Sequence, residues 1–170
     1  KEIALVRKAC EITDAIFQET ISTIKVGMKE TEVSALLQYL AIKNGASGMA
    51  FDTIVASGTR GSMPHGRPTD KTFQKHEFIT IDFGITYQGY QSDMTRTICI
   101  GEPNPEMKKI YDIVLEAQCA GVDFIKAGVR GKDVDEHVRN IITKHGYGEY
   151  FTHGLGHGMG MGDGELPVLN

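Results

Sequence analysis

Five side chains in this 170-residue sequence have the types and spacing to do chemistry: Asp82, Asp93, His65, His153 and His157. The two carboxylates lie in stretches that alternate like strands. From Phe78 to Ile85, Ile79, Ile81, Phe83 and Ile85 take one face, while Thr80 and Asp82 take the other. Tyr87 to Tyr90 reads as a turn, and Gln91 to Ile100 as the return strand, with Asp93, Thr95 and Thr97 opposite Met94, Ile98 and Ile100. Such a ribbon sets Asp82 and Asp93 almost opposite each other, at a cross-strand Cβ spacing of about 5 Å. Two ionised carboxylates about 4 Å apart repel by roughly 4 kcal/mol at an effective dielectric of 20. A cation, a shared proton or divergence into solvent must offset that repulsion. The flanking faces are apolar and Arg96 is the only cation nearby. That favours a metal over the plainer alternative of two solvated strand aspartates.

His153 and His157 fall in His-Gly-Leu-Gly-His-Gly-Met-Gly-Met-Gly. Their spacing matches the zinc helices, but glycine stands where the glutamate base would follow the first histidine. Alternating glycines also weaken a helix by about 1 kcal/mol each against alanine. An extended segment or loop is expected instead, one that backbone or ligand can approach closely. A dinucleotide fingerprint fails because Met159 occupies its third glycine position. With two carboxylates, neutral imidazoles suit Mn, Fe, Co or Zn rather than Ca; the plain alternative is a flexible loop with chance histidines. His65 sits in the turn-rich Ser62–Pro68 loop, either as a positioned donor or as a solvated side chain. His76, His137 and His145 read as surface residues. Asp82-Phe83-Gly84 imitates the kinase magnesium tripeptide, yet no phosphate loop, strand lysine or catalytic-loop motif accompanies it.

Four helices must carry these segments. The first spans Lys1 to Lys25, with Ile3, Val6, Cys10, Phe17, Ile21 and Ile24 on one face and polar Thr13 filling one slot. Gly27 breaks it. The second runs from a Thr31 N-cap to Asn44-Gly45. The third opens on Asn104-Pro105 and reaches Gly128. The fourth starts at Asp133, with Glu136 as its capping-box partner, and ends at His145-Gly146. Lys25-Val26-Gly27 matches Lys126-Ala127-Gly128, Glu32-Val33 matches Asp133-Val134, and Gly45 matches Gly146, all offset by 101 positions. A constant offset over helix breaks and core positions indicates an internal duplication. The second-copy equivalents of Asp82 and Asp93 fall past Asn170, so the C-terminal hairpin of the fold is expected to be missing. Paired helices around a hairpin predict an α+β class with an antiparallel sheet.

Composition narrows the function classes. The residues are 41% hydrophobic and 24% charged, as in a globular domain, and no apolar run approaches the length of a membrane span. A net charge of -4 and a pI near 5.9 provide no footprint for nucleic acid. Three scattered cysteines, Cys10, Cys99 and Cys119, suit a reduced cytoplasmic protein. Residue 1 is Lys rather than Met, which leaves room for a leader or an N-terminal domain in the parent chain.

Taken together, Phe51-Asp52-Thr53-Ile54-Val55-Ala56-Ser57-Gly58, Pro64-His65, Ile81-Asp82-Phe83-Gly84, Gly89-Tyr90-Gln91-Ser92-Asp93-Met94-Thr95-Arg96-Thr97 and His153-Gly154-Leu155-Gly156-His157-Gly158 resemble the pita-bread metallopeptidases, within them the Xaa-Pro aminopeptidase and prolidase branch. Methionine aminopeptidases share the architecture but usually carry Cys-His-Gly where this chain has Pro64-His65-Gly66. The resemblance implies a creatinase/aminopeptidase-like fold with pseudo-twofold symmetry, its curved antiparallel sheet covered by two helix pairs. Residues 1–170 would form a catalytic domain incomplete at its C-terminus. It implies two divalent ions, Mn before Co, Zn or Fe. Asp82 would be a ligand to one ion, Asp93 would bridge both, and His157 would complete one side. A metal-bridging hydroxide would hydrolyse the Xaa-Pro bond of peptides with proline second, while His65 and His153 hold substrate or stabilise the intermediate. Partners would be such peptides and a second subunit in a homodimer. Two further glutamates belong on the C-terminal part, at least one on the hairpin past Asn170, so these residues alone are expected to be inactive. Gly164-Glu165 stands where a His-Glu or His-Asp pair is usual, and His76-Glu77 replaces Gly-Asp. A metal-free pseudo-peptidase that binds a peptide or protein partner, or a methionine-aminopeptidase type of enzyme, is the alternative.

Overall fold

Helix α1 (Glu2–Ile21) presents Ala9, Ile12, Ile16 and Phe17 to the interior, together with polar Thr13 and Thr20. Gly27, at φ 89°, reverses the chain into α2 (Glu30–Lys43), which buries Val33, Leu37, Leu40 and Ala41. The computed structural model describes residues 1–162 and 164–170. They divide into two compact units, one of Lys1–Pro103 with the short return 159–162 and one of Asn104–Gly158 with Gly164–Asn170.

In the first unit, β2 (Ile54–Ser57), β3 (Phe78–Phe83) and β6 (Met94–Cys99) form an antiparallel sheet in the order β2-β3-β6. The strands β1 (Gly48–Met49), β4 (Ile85–Tyr87) and β5 (Tyr90–Gln91) form another, in the order β1-β4-β5. The alternation expected from the sequence holds: Ile79, Ile81, Phe83 and Ile85 are fully buried and pack with Val55, Ile16 and Leu37 in one core. Gln88 and Gly89 both have positive φ (49° and 85°), the two-residue turn whose twist matches the strands it joins. Each expected strand of the ribbon is interrupted, one at Gly84 and the other at Ser92-Asp93.

The second unit repeats the helix pair. Helix α3 (Pro105–Phe124) is as long as α1, and α4 (Gly131–Lys144) as long as α2. Gly128 at φ 90° and Gly146 at φ 87° reproduce Gly27 and Gly45, and Val129 N donates to Lys126 O over the same 3.2 Å as Met28 N to Lys25 O. The duplication is therefore built into the backbone. Ala117, Val138 and Ile142 form this unit's core. The glycine-rich stretch is extended, as expected: β7 (Gly156–Gly158) pairs antiparallel with β8 (Glu165–Leu169).

Helix starts depart from expectation at two places. Asn104 caps α3 by accepting from Met107 N at 2.9 Å, as its Asn-Pro signature predicts. Thr31 and Asp133 cap nothing. The N-caps are Lys29 and Arg130, in equivalent extended conformations. Lys29 N donates to the Glu32 carboxylate (2.6 Å), whereas Asp133 forms a two-bond pair with the Arg130 guanidinium. Side-chain preference at one position yields to a start shared by both copies.

Candidate functional site

Asp82 lies on β3, and its carboxylate Oδ1 accepts from the Thr95 hydroxyl at 2.8 Å. The register pairs Asp82 with Thr95 and Phe83 with Met94. Asp93 is exposed and lies just before β6 begins at Met94, one residue beyond the ladder that pairs Asp82 with Thr95. The ladder between the two strands ends at Phe83 and Met94, next to Gly84. A Cβ there would fall on the Ser92 carbonyl oxygen, so only glycine lets that carbonyl close in and interrupt the ladder.

Ser92, 1% exposed, fixes the residue before Asp93. Its hydroxyl oxygen accepts from Ile85 N (3.0 Å) and meets the Thr13 hydroxyl at 2.5 Å, while Thr13 donates to Ala9 O (2.9 Å). Each hydroxyl has one proton, so the chain runs from Ile85 N–H to Ser92, from Ser92 to Thr13, and from Thr13 to Ala9. Sequence reading noted Thr13 only as a polar residue in the apolar face of α1; its burial against Ser92 gives that residue its role.

His65 is exposed, on the loop after the 3₁₀ turn Gly58–Ser62. The loop is tied at both ends to Glu30, the first residue of α2, whose side chain is wholly buried. Oε1 accepts from Ser57 N (2.8 Å) and Ser57 Oγ (2.9 Å). Oε2 accepts from Thr69 N (3.0 Å), Thr69 Oγ1 (2.8 Å) and Arg60 Nε (3.2 Å). Burial alone would push this carboxyl up. The Thr69 and Ser57 hydrogen bonds outweigh it and hold the group below the ordinary range. Sequence reading missed Glu30, because its partners lie dozens of residues away.

In the second unit, His153 and His157 each place Nδ1 against the carbonyl of the next glycine, at 2.7 Å from Gly154 O and 2.9 Å from Gly158 O. A carbonyl only accepts, so Nδ1 bears the proton and Nε2 carries the lone pair, the tautomer a metal-ligating histidine takes. Gly164, where the resemblance would put a histidine, has φ 70°. Of the histidines read as surface residues, His76 is exposed and bonded to Glu102 O at 2.7 Å. His145 is exposed beside Glu116, and half-buried His137 stacks on Phe124 at 4.5 Å. Asp82 lies on β3 and Asp93 just before β6 in the first unit; His65 stands on a separate loop there. Among the described residues, no group of three or more His, Cys, Asp or Glu side chains forms a metal cluster. The donor types still suit divalent ions: hard carboxylates on one ribbon and an imidazole in its ligating tautomer.

Residues 4–170 match the family described as Metallopeptidase family M24. The chain is 50% identical over 170 residues to the Xaa-Pro dipeptidase of Pyrococcus horikoshii, covering all of this chain and 48% of that protein. An X-Pro aminopeptidase structure from Thermotoga maritima superposes at TM-score 0.96 with 48% identity, over 99% of this chain and 48% of that one. The prolidase structure from Pyrococcus furiosus superposes at TM-score 0.96 with 46% identity, over 99% of this chain and 50% of that one. The chain spans about half the length of the relatives it matches.

Proposed function

The chain belongs to metallopeptidase family M24 and has the pita-bread fold of the prolidases and aminopeptidases; from that premise we propose that the protein is a metal-dependent exopeptidase that cleaves the bond before a proline in second position, with Xaa-Pro dipeptides as its substrates. The observation that carries this reading is a pair of carboxylates on neighbouring segments of one ribbon, Asp82 on β3 bonded to Thr95 and Asp93 between the buried Ser92 and the start of β6. Two carboxylates carried by one ribbon have a use when a divalent cation sits with them. The relatives' names supply the substrate class.

Asp82, Asp93 and His157 would hold two divalent ions, manganese ahead of cobalt, zinc or iron. Bound there, the ions supply an activated water and polarise a peptide carbonyl near neutral pH. The remaining work falls to this chain's own groups. The Thr95 hydroxyl, donating to Asp82 Oδ1, fixes the carboxylate's orientation. His153, with Nδ1–H committed to Gly154 O, presents Nε2 to substrate. There it takes up a proton when neutral and donates to a developing oxyanion when protonated. His65 holds the substrate from the loop that Glu30 closes. Action in the cytoplasm fits three unpaired cysteines; no helix among the described residues is long and apolar enough to cross a membrane.

The test is hydrolysis of Xaa-Pro dipeptides by the complete gene product, with and without EDTA, against the Asp93→Asn variant. The proposal expects turnover that EDTA removes and added Mn²⁺ restores, and none from the variant at unchanged fold. Turnover retained by Asp93→Asn contradicts its role. Gly164 favours a second reading, a peptide-binding pseudo-peptidase. EDTA-insensitive binding of a peptide without cleavage is its signature.

A further inference from the structure

Arg139 and Asp135 lie one turn apart on α4, and between them they tie down alternate residues of the segment that carries His153. The guanidinium meets both Asp135 carboxylate oxygens, through Nε at 2.8 Å and Nη2 at 2.9 Å. It also donates from Nη1 to Phe151 O (2.7 Å) and from Nη2 to His153 O (2.8 Å). Asp135 accepts from Leu155 N at 2.9 Å. The guanidinium carbon sits 4.3 Å from the centroid of the Phe151 ring, and that ring meets the His153 imidazole edge-on at 5.0 Å. One planar fork therefore fixes the backbone at Phe151 and His153, and through Phe151 supports the imidazole.

The duplication shows that helix packing does not require this pair. In the first copy the residues 101 positions earlier are Ser34 and Gln38, joined by a single 3.5 Å contact. Both helices nonetheless have the same length and bury apolar residues at equivalent places, Val33 and Leu37 in α2, Val134 and Val138 in α4. The ion pair is confined to the copy whose following segment bears the histidines. That segment is rich in glycine, which loses more conformational freedom on ordering than any other residue, so an external anchor is what fixes it.

The geometry points to Asp135 and Arg139 as positioning residues for His153, holding its main chain and ring in one orientation before any substrate arrives. This inference rests on the proposed role of His153 at the substrate. Its test uses neither substrate nor metal, so it succeeds or fails apart from the peptidase reading. In the metal-free 170-residue chain, ¹⁵N-imidazole NMR reads the His153 tautomer and amide exchange reads Leu155. Ile79 and Ile81 amides in β3 serve as the folded control. Arg139→Met is expected to speed Leu155 exchange about tenfold, a loosening of about 1.4 kcal/mol, because the Asp135 carboxylate that accepts from Leu155 N loses the guanidinium that holds it. The His153 signals should then move toward the mixed tautomers of free histidine. Arg139→Lys, with a point charge in place of the fork, should rescue neither. Where Arg139→Met loses the second unit altogether, Asp135→Asn keeps the volume and is expected to give the same two changes. Unchanged His153 tautomer in a folded variant overturns the inference. So does a loss of protection spread evenly over α3 and α4, which is what a purely structural pair would give.

Discussion

Replacing Glu30 by Gln changes one oxygen to an NH₂ group inside a site built entirely from donors. In the native side chain the two oxygens receive five hydrogen bonds, from Ser57, Thr69 and Arg60, and the carboxyl group is fully buried. The amide has a single accepting oxygen and no charge, so the backbone N–H of either Ser57 or Thr69 loses its acceptor and the Arg60 guanidinium loses its counter-charge. An unmatched buried donor costs about 1–3 kcal/mol, and a buried ion pair broken on one side about 3–5 kcal/mol. The expected loss is therefore about 3–5 kcal/mol, against a typical total stability of about 5–15 kcal/mol. For a chain of this size that lowers Tm by about 6–20 °C. Locally, amide exchange at Ser57 and Thr69 should rise first, because these residues close the His65 loop. The pH dependence has a definite sign. The folded carboxyl titrates below its unfolded value of about 4.3, so its contribution is complete above that pH and is lost as pH falls through the folded value. Glu30→Gln should flatten that acid limb. Thermal melts between pH 3 and 7, with amide exchange at pH 7, test the reasoning. A variant within 1 kcal/mol of the native protein, with the same acid slope, would refute it.

Two substitutions probe the ribbon that carries the aspartates. Gly84→Ala drives a Cβ into the Ser92 carbonyl and is expected to cost at least the 1–3 kcal/mol of an overpacked core, read by urea denaturation, while shifting the Asp93 resonances. Ser92→Ala strands Ile85 N and should cost about 1–3 kcal/mol; Thr13→Val added to it should cost less than the two effects summed, because the residues share one hydrogen-bond chain.

Much of the helical scaffold was legible because its signals are local or repeated. The Asn104-Pro105 start, the Gly27 and Gly128 breaks and the 101-residue offset each rest on backbone rules that need no tertiary partner. The alternation of Ile79, Ile81, Phe83 and Ile85 likewise placed Asp82 on the less buried face of β3. What sequence could not supply was register. The end of the ladder at Phe83 and Met94 goes with the Ser92 carbonyl closing on Gly84, a contact between segments that alternation alone leaves undetermined. The helix starts at Glu30 and Gly131 escaped for a related reason, since Thr31 and Asp133 are sound caps in isolation and lose to a geometry common to both copies. Glu30 and Asp135 look like solvated helix charges until the fold delivers Arg60, Thr69 and Leu155 to them. His76 reads as a turn substitution, and at φ 64° it does occupy a conformation in which glycine is the easier residue.

The central claim is that Asp82, Asp93 and His157 serve one divalent-metal chemistry, and titrating the isotopically labelled chain with Mn²⁺ while following paramagnetic broadening tests it most directly. The account predicts that signals from these three residues broaden together at the lowest Mn²⁺ additions, ahead of the exposed Glu116–His145 pair, and return when EDTA is added. Broadening that begins at Glu116 and His145, or that reaches the aspartates while His157 stays sharp, would contradict it.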